Sequence, residues 1–168
     1  MNLTGHRSLD AIVRRLVLEA AALAAVMPEV PSLADLGSGA GFPGLPIAVL
    51  RRDCQLTLVE ARMRRHHFQR AAVRALGLRN TRLELGRAEQ IEARTHAAVV
   101  AQAVARPERA LPWMLPWVEP GGLLFLPGSS PPPDIPEIPG VSFEARLRYR
   151  TPCDGPVRSL WIGRRTFD

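Results

Sequence analysis

The sequence predicts an α/β fold: a doubly wound, mainly parallel sheet covered by helices on both faces, with an antiparallel pair of strands at its C-terminal edge. Three observations carry this expectation. Segments of helical and of strand periodicity alternate along the chain, the candidate strands are continuous apolar runs, and a glycine cluster separates the first strand from the next helix.

Residues 9–26 place Leu9, Ile12, Val13, Leu16, Val17, Ala20, Leu23 and Ala24 at helical spacing, with Ser8 as the cap and Arg14 and Arg15 on the wetter flank. Pro28 and Pro31 end that helix, and Leu33 to Leu36 form the first strand. Gly44 to Leu50 begins a helix, and Gln55 to Val59 is a second strand, closed by Glu60. A helix from about Arg62 to Leu76 follows and stops at Gly77, with Phe68, Ala72, Ala75 and Leu76 on its buried face. Thr81 to Leu85 and Ala97 to Ala101 are further strands, joined by a polar turn that contains Glu89. A proline-broken helix, Arg109 to Trp117, leads through Pro120-Gly121-Gly122 into the strand Leu123 to Leu126. Six prolines between Pro127 and Pro139 predict an extended loop, after which Val141 to Arg150 and Val157 to Arg164 form the antiparallel pair.

Composition narrows the function classes. Residues 1–168 read as a single domain. The formal net charge is +6, from 22 basic residues, all arginine, against 16 acidic ones. Seven arginines, at positions 62, 64, 65, 70, 74, 79 and 82, fall between Glu60 and Glu84 with no acid among them. Such a block attracts polyphosphate, although a solvated helix face has the same composition. Cys54 and Cys153 have neither metal-ligand nor redox-motif spacing, which excludes a disulfide framework and predicts a reducing, cytoplasmic setting. The most apolar segment, Leu16 to Pro28, is interrupted by Glu19 and is shorter than the roughly 20 residues a membrane helix needs. A secretory leader is not expected either, because Arg14-Arg15 leads into an alanine-rich helix without a cleavage region.

The glycine cluster is Asp35-Leu36-Gly37-Ser38-Gly39-Ala40-Gly41-Phe42-Pro43-Gly44. A dinucleotide fingerprint starting at Gly37 would place its third glycine where Phe42 stands. The spacing resembles instead the D-x-G-x-G-x-G loop of Rossmann-like methyltransferases, which cradles S-adenosylmethionine. Glu60, ending the second strand, is placed to accept hydrogen bonds from both hydroxyls of an adenosine ribose. The plainer alternative makes residues 37–44 a tight turn and Glu60 a helix cap.

Leu36-Gly37-Ser38-Gly39-Ala40-Gly41-Phe42-Pro43-Gly44-Leu45-Pro46-Ile47 resembles the signature of the glucose-inhibited division protein B family, the guanine-N7 methyltransferases of small-subunit ribosomal RNA. Four other stretches agree with it: Asn2-Leu3-Thr4; Glu60 with Arg64, Arg65 and Phe68; Gly86-Arg87-Ala88-Glu89; and Pro152, Gly155 and Arg158. The resemblance implies a class I methyltransferase fold with S-adenosylmethionine as cofactor. It implies that Gly37, Ser38, Gly39, Gly41 and Phe42 hold the methionine and sulfonium end, Glu60 the ribose, Ala88 and Glu89 the adenine edge, and that Gln102 lies near the cofactor. For Gly86 to Glu89 the alternative is a turn with an Arg87-Glu89 surface pair. Arg62, Arg64 and Arg65, joined by Arg70 and Arg74, are candidates for RNA phosphate contact, and Arg106 for charge near the cleft. The implied partner is small-subunit ribosomal RNA or the 30S particle, with the protein acting as a monomer.

No catalytic residue is nominated, since guanine N7 carries a free lone pair and needs no base to deprotonate it. His66 and His67 face different directions on one helix and are expected at solvent or an interface; no metal site is expected. Trp113 and Trp117 are expected as packing residues. The chain departs from the family pattern in four places. Gln102 stands in Ala101-Gln102-Ala103 where the family has an arginine, and Pro127 in Leu126-Pro127-Gly128 where it has a lysine. Arg15 and Leu18 replace a histidine and an aspartate of the first helix. The family's several dozen N-terminal helical residues are absent before Asn2, so the chain is either a shortened member or incomplete at its start. Two alternative functions remain open: a cofactor-binding, ribosome-associated protein with lost or altered catalysis, and a methyltransferase with another acceptor, such as an acidic protein.

Overall fold

The computed structural model describes residues 8–131 and 134–167. Asn2-Leu3-Thr4 therefore lies outside the described residues. Seven strands among them form one sheet in the order β3-β2-β1-β4-β5-β7-β6. β1 (Ser32–Leu36), β2 (Gln55–Glu60), β3 (Thr81–Leu85), β4 (His96–Ala101) and β5 (Val118–Ser129) are parallel. β7 (Val157–Arg165) runs antiparallel to β5, and β6 (Val141–Arg150) antiparallel to β7. The chain steps outward from β1 to β3, then returns to β4 on the other side of β1. That reversal opens a crevice at the carboxyl ends of β1 and β4, where sheets of this kind bind ligands.

Adjacent residues on a strand point to opposite faces, so each buried strand feeds two cores. Leu33, Leu56, Leu58 and Phe125 pack with α2 (Leu18–Val26) and α3 (Gly44–Leu50) on one face. Ala34, Val99, Leu124 and Trp161 pack with α5 (Pro107–Met114) and with Trp117 of the 3-10 turn Leu115–Trp117 on the other. Each fully buried large apolar side chain of these cores contributes about 1.5–3 kcal/mol.

The structure corrects several expectations. Ser8 does cap α1 (Leu9–Ile12), its Oγ accepting from the Ala11 N–H at 3.2 Å. The helix, however, passes through a π-helical stretch, Val13–Val17, before α2. That wider turn rotates the preceding residues off the core face, leaving Leu9 76% and Val13 39% exposed. α4 (Met63–Ala75) ends at Gly77 as expected, but its buried residue is Gln69, with Ala72 and Val73 partly buried. Phe68, Ala75 and Leu76 are exposed. The reason is polar: Gln69 Nε2 donates to Ser38 Oγ and to the Gly39 carbonyl, both at 2.8 Å, and this turns the helix. β5 is longer than Leu123 to Leu126 and takes in Pro127, paired with Leu160, so the proline loop starts later.

Candidate active site

The loop after β1 is bound to the end of β2 by backbone and side chain together. The Ser38 N–H and Oγ both donate to the Val59 carbonyl, at 3.0 and 3.3 Å. The Gly39 N–H donates to Glu60 Oε2 at 2.8 Å, and the Arg62 N–H to Glu60 Oε1 at 2.7 Å. Glu60 thus ties the glycine turn to Arg62, the residue just ahead of α4. Gly39 has φ +60°, a left-handed conformation, and a Cβ there would meet nothing closer than 3.9 Å. Gly41, at φ +91°, has no such room: its Cβ would lie 2.3 Å from Leu45 Cδ1.

Gly37 and the partly buried Phe42 flank the turn. The Gly86 N–H donates to the Glu60 carbonyl at 3.0 Å, and Trp117 Nε1 donates to the Ala88 carbonyl at 3.1 Å, fixing the segment beyond β3. Glu89 is exposed or nearly so, its Oε1 3.8 Å from Arg87 Nη1. Arg62 and Arg64 are exposed at the start of α4, while Arg65 is partly buried with Nη1 beside Gly39. Arg106 is exposed at the N-cap of α5. His66 is partly buried and His67 exposed, and Trp117 is fully buried.

Asp35, beneath the turn, accepts from the Gly44 N–H at 2.9 Å through Oδ2, while its buried Oδ1 has no partner. Burial, reinforced by the negative charge of Glu60 and opposed by the Gly44 N–H, pushes its pKa up from 3.8 to about 7. The folded protein therefore holds a proton here that the unfolded chain has lost, and this contribution to stability falls as pH rises from about 4 to about 7. Asp35→Asn removes the titration. Melts at pH 5 and pH 8 should show the wild type losing on the order of 2–3 kcal/mol more than the variant. Identical pH dependence in the two proteins would show that Asp35 is already ionised at pH 5.

A second group meets at the carboxyl ends of β4 and β5, around a cavity of about 390 Å³ lined in part by Gln102, Pro127, Arg158 and Trp161. Arg158 Nε and Nη2 donate to Glu19 Oε2 at 3.0 and 2.7 Å, and Gln102 Nε2 donates to Glu19 Oε1 at 3.1 Å. Tyr149, buried behind them, has its hydroxyl pKa pushed up to about 12 by burial and by the Glu19 charge, against the effect of Arg158. Glu19 is a functional candidate that the sequence reading missed. Its signal was an acid on the apolar side of an amphipathic helix. Gln69 was missed for the same reason, a polar residue at a core position.

The chain also matches the family model of rRNA small subunit methyltransferase G over residues 1–135. It belongs to that family. Among curated relatives, the ribosomal RNA small subunit methyltransferase G of Kineococcus radiotolerans is 41% identical over 136 residues, covering 79% of this chain and 54% of the relative. That of Streptomyces coelicolor is 37% identical over 131 residues, 76% of this chain and 55% of the relative. The chain thus spans about half the length of these relatives. A solved SAM-dependent methyltransferase from Aquifex aeolicus aligns at TM-score 0.67 with 13% identity, covering 93% of each chain. The fold is that of a Rossmann-like class I methyltransferase, with the antiparallel pair at its edge.

Two of the four departures from the family pattern lie at one cavity. Gln102 and Pro127, which replace the family's arginine and lysine, both line it. Leu18 takes the place of the family's aspartate in the first helix, and the next residue, Glu19, supplies a carboxylate that is 8% exposed. The π-helical stretch just before it sets which side of the helix Glu19 presents to β7. Among the described residues no helix is long and apolar enough to cross a membrane.

Proposed function

We propose that this chain is a single methyltransferase domain that uses S-adenosylmethionine and transfers its methyl group to guanine N7 in small-subunit ribosomal RNA, in the cytoplasm and as a monomer. The hydrogen bond between the Gly39 N–H and Glu60 Oε2 carries this reading, because it joins the glycine turn to the acid expected to hold the ribose. The residues present suit the cofactor. Each Glu60 oxygen has accepted one backbone N–H and keeps a lone pair for a ribose hydroxyl. Asp35 Oδ1 is a buried polar atom beneath the turn without a protein partner, and the open side of Gly39 leaves room for a ligand against the backbone.

When bound, S-adenosylmethionine supplies an electrophilic methyl group on a sulfonium. The guanine N7 lone pair forms the new C–N bond as the C–S bond breaks, and no proton moves in that step. The protein therefore works by placement: nucleophile and methyl must come within roughly 3–3.5 Å and in line, beside groups that tolerate the cationic product. Glu19, held by Arg158 and Gln102, lines the cavity at the ends of β4 and β5, where its carboxylate would neighbour a base that enters there. Arg62, Arg64 and Arg65 supply phosphate contacts at the other side of the mouth, with Arg106 a further cation beyond β4.

Labelled S-adenosylmethionine incubated with 30S particles, deproteinised small-subunit RNA and bulk protein separates the possible acceptors. Label in RNA, recovered as 7-methylguanosine after nuclease digestion, is the expected result; label in protein alone rejects the acceptor. Arg62→Ala with Arg64→Ala, both exposed at the start of α4, should weaken RNA affinity and flatten its dependence on salt by about 0.7–0.9 for each phosphate no longer neutralised, with cofactor affinity retained. Gln102 and Pro127 favour one other reading, a cofactor-binding member with lost catalysis. Calorimetric cofactor binding without transfer to any RNA would establish it.

A further inference from the structure

The exposed face of β6 carries a feature that the pocket does not explain. Arg146, Arg148 and Arg150 lie opposite Trp161, Ser159 and Val157 of β7, and residues directly opposed in an antiparallel pair project from the same face. All three are exposed, at intervals of ~6.8 Å along the strand, close to the step between successive phosphates of an extended polynucleotide. Among the described residues Arg146 and Arg148 make no ion pair, and Arg150 donates only to the Gly155 carbonyl, at 3.4 Å. The irregularity between Phe143 and Ala145 breaks the alternation, so that Phe143 shares this face and reaches Trp161, ring centroids 6.3 Å apart. Phe143 is 62% exposed.

Phe143, Arg146 and Trp161 form the floor of an open groove of about 840 Å³ whose wall is the segment Ile135 to Pro139; Glu137 is the acid that lines it. Trp161 and Ile135 also line the cavity at the ends of β4 and β5, so groove and cavity are neighbours that share these two side chains. β6 runs in the direction of β5, which puts Arg150 at the end where that cavity opens, with Arg148 level with cavity-lining Ser159.

We propose that this face is a track for a single-stranded segment of RNA, its phosphates on Arg146, Arg148 and Arg150, one base stacked on Phe143 and a base farther along, past Arg150, delivered to the cavity. A cationic row beside an exposed aromatic shelf is how proteins hold unpaired strands, whereas a duplex keeps its bases stacked away from such a shelf. The inference takes RNA as the acceptor and so rests on the function proposed above.

Fluorescence anisotropy with a labelled 12-nucleotide single strand tests it. Arg146→Ala with Arg148→Ala should lower affinity about tenfold or more and flatten the salt dependence by about 1.4, at ~0.7 for each phosphate left without its arginine. Phe143→Ala should cost about tenfold with the salt dependence unchanged. Arg52→Ala with Arg79→Ala, exposed at the opposite end of the sheet, should bind as the wild type does. Ultraviolet crosslinking of the wild type, mapped by mass spectrometry, needs no variant and should mark β6. Wild-type binding by the Arg146 and Arg148 variant overturns the track, as does equal loss in the Arg52 and Arg79 control. So does a duplex or polyglutamate that competes as well as the single strand, or a crosslink confined to α4. Absence of methyl transfer by the wild type would reject the catalytic reading, while the anisotropy pattern would still decide the track.

Discussion

Gly39→Val is expected to abolish measurable binding of S-adenosylhomocysteine while leaving the sheet folded. The left-handed backbone at φ +60° makes a side chain there cost about 1–2 kcal/mol, a small part of the ~5–15 kcal/mol of net stability a domain has. No protein atom stands within 3.9 Å of the new Cβ, so the core does not have to yield. What valine fills is the open space between the Gly37 carbonyl and Arg65, on the residue whose N–H binds Glu60. Calorimetry should show a loss of at least about a hundredfold, roughly 2.7 kcal/mol or more, with a melting point only about 2–8 °C lower. Gly44→Ala is the contrasting case. Its Cβ would lie 2.2 Å from Leu58 Cδ2 and 2.6 Å from Asp35 Oδ2, and overpacking of that kind destabilises by about 1–3 kcal/mol. Unchanged cofactor affinity in the folded Gly39→Val protein would remove the glycine turn from the binding site.

Glu19→Ala should strike the other half of the site. Glu19 and Arg158 side chains are 11% and 32% exposed, so removing the carboxylate strands a guanidinium that is mostly out of water. Full burial would make that loss about 3–5 kcal/mol; the partial exposure of Arg158 brings the expected cost to about 2–3 kcal/mol. Gln102 loses its partner in the same step. Transfer to RNA should fall at least about tenfold in kcat/KM while S-adenosylhomocysteine affinity changes little, because the Gly39 and Glu60 contact belongs to different strands. Glu19→Gln, which keeps an acceptor for Arg158 but not the charge, should fall between. A matching loss of cofactor affinity in Glu19→Ala would mean that the two halves are one site.

Residues whose role depends on local chain properties are legible in the sequence. The glycine turn, Glu60 at the end of its strand, the Gly77 stop of α4 and the final antiparallel pair each follow from backbone freedom, strand periodicity or chain punctuation. Residues that act through distant partners are not. Periodicity gives Gln69 no place in the core because it weighs each residue by its own solubility, and it cannot register two hydrogen bonds made to a loop about thirty residues earlier. The buried face of α4 is misplaced for the same reason. Glu19 enters the sequence argument only as an interruption of an apolar run, while its partner Arg158 lies 139 residues away on β7.

The order of residues along the chain suffices for the alternation of strands and helices, the turn that lets a ligand approach the backbone, and the family to which these belong. Those are short-range properties, set by φ preferences, side-chain shape and spacing. Which polar groups are buried depends on how the elements pack: Asp35 beneath the turn, and Glu19 against Arg158 and Gln102. The same packing sets the arginine row of β6 beside Phe143. Burial of a charge or an amide is tolerated only when a partner arrives from elsewhere in the chain, and that arrival is fixed by strand order and register.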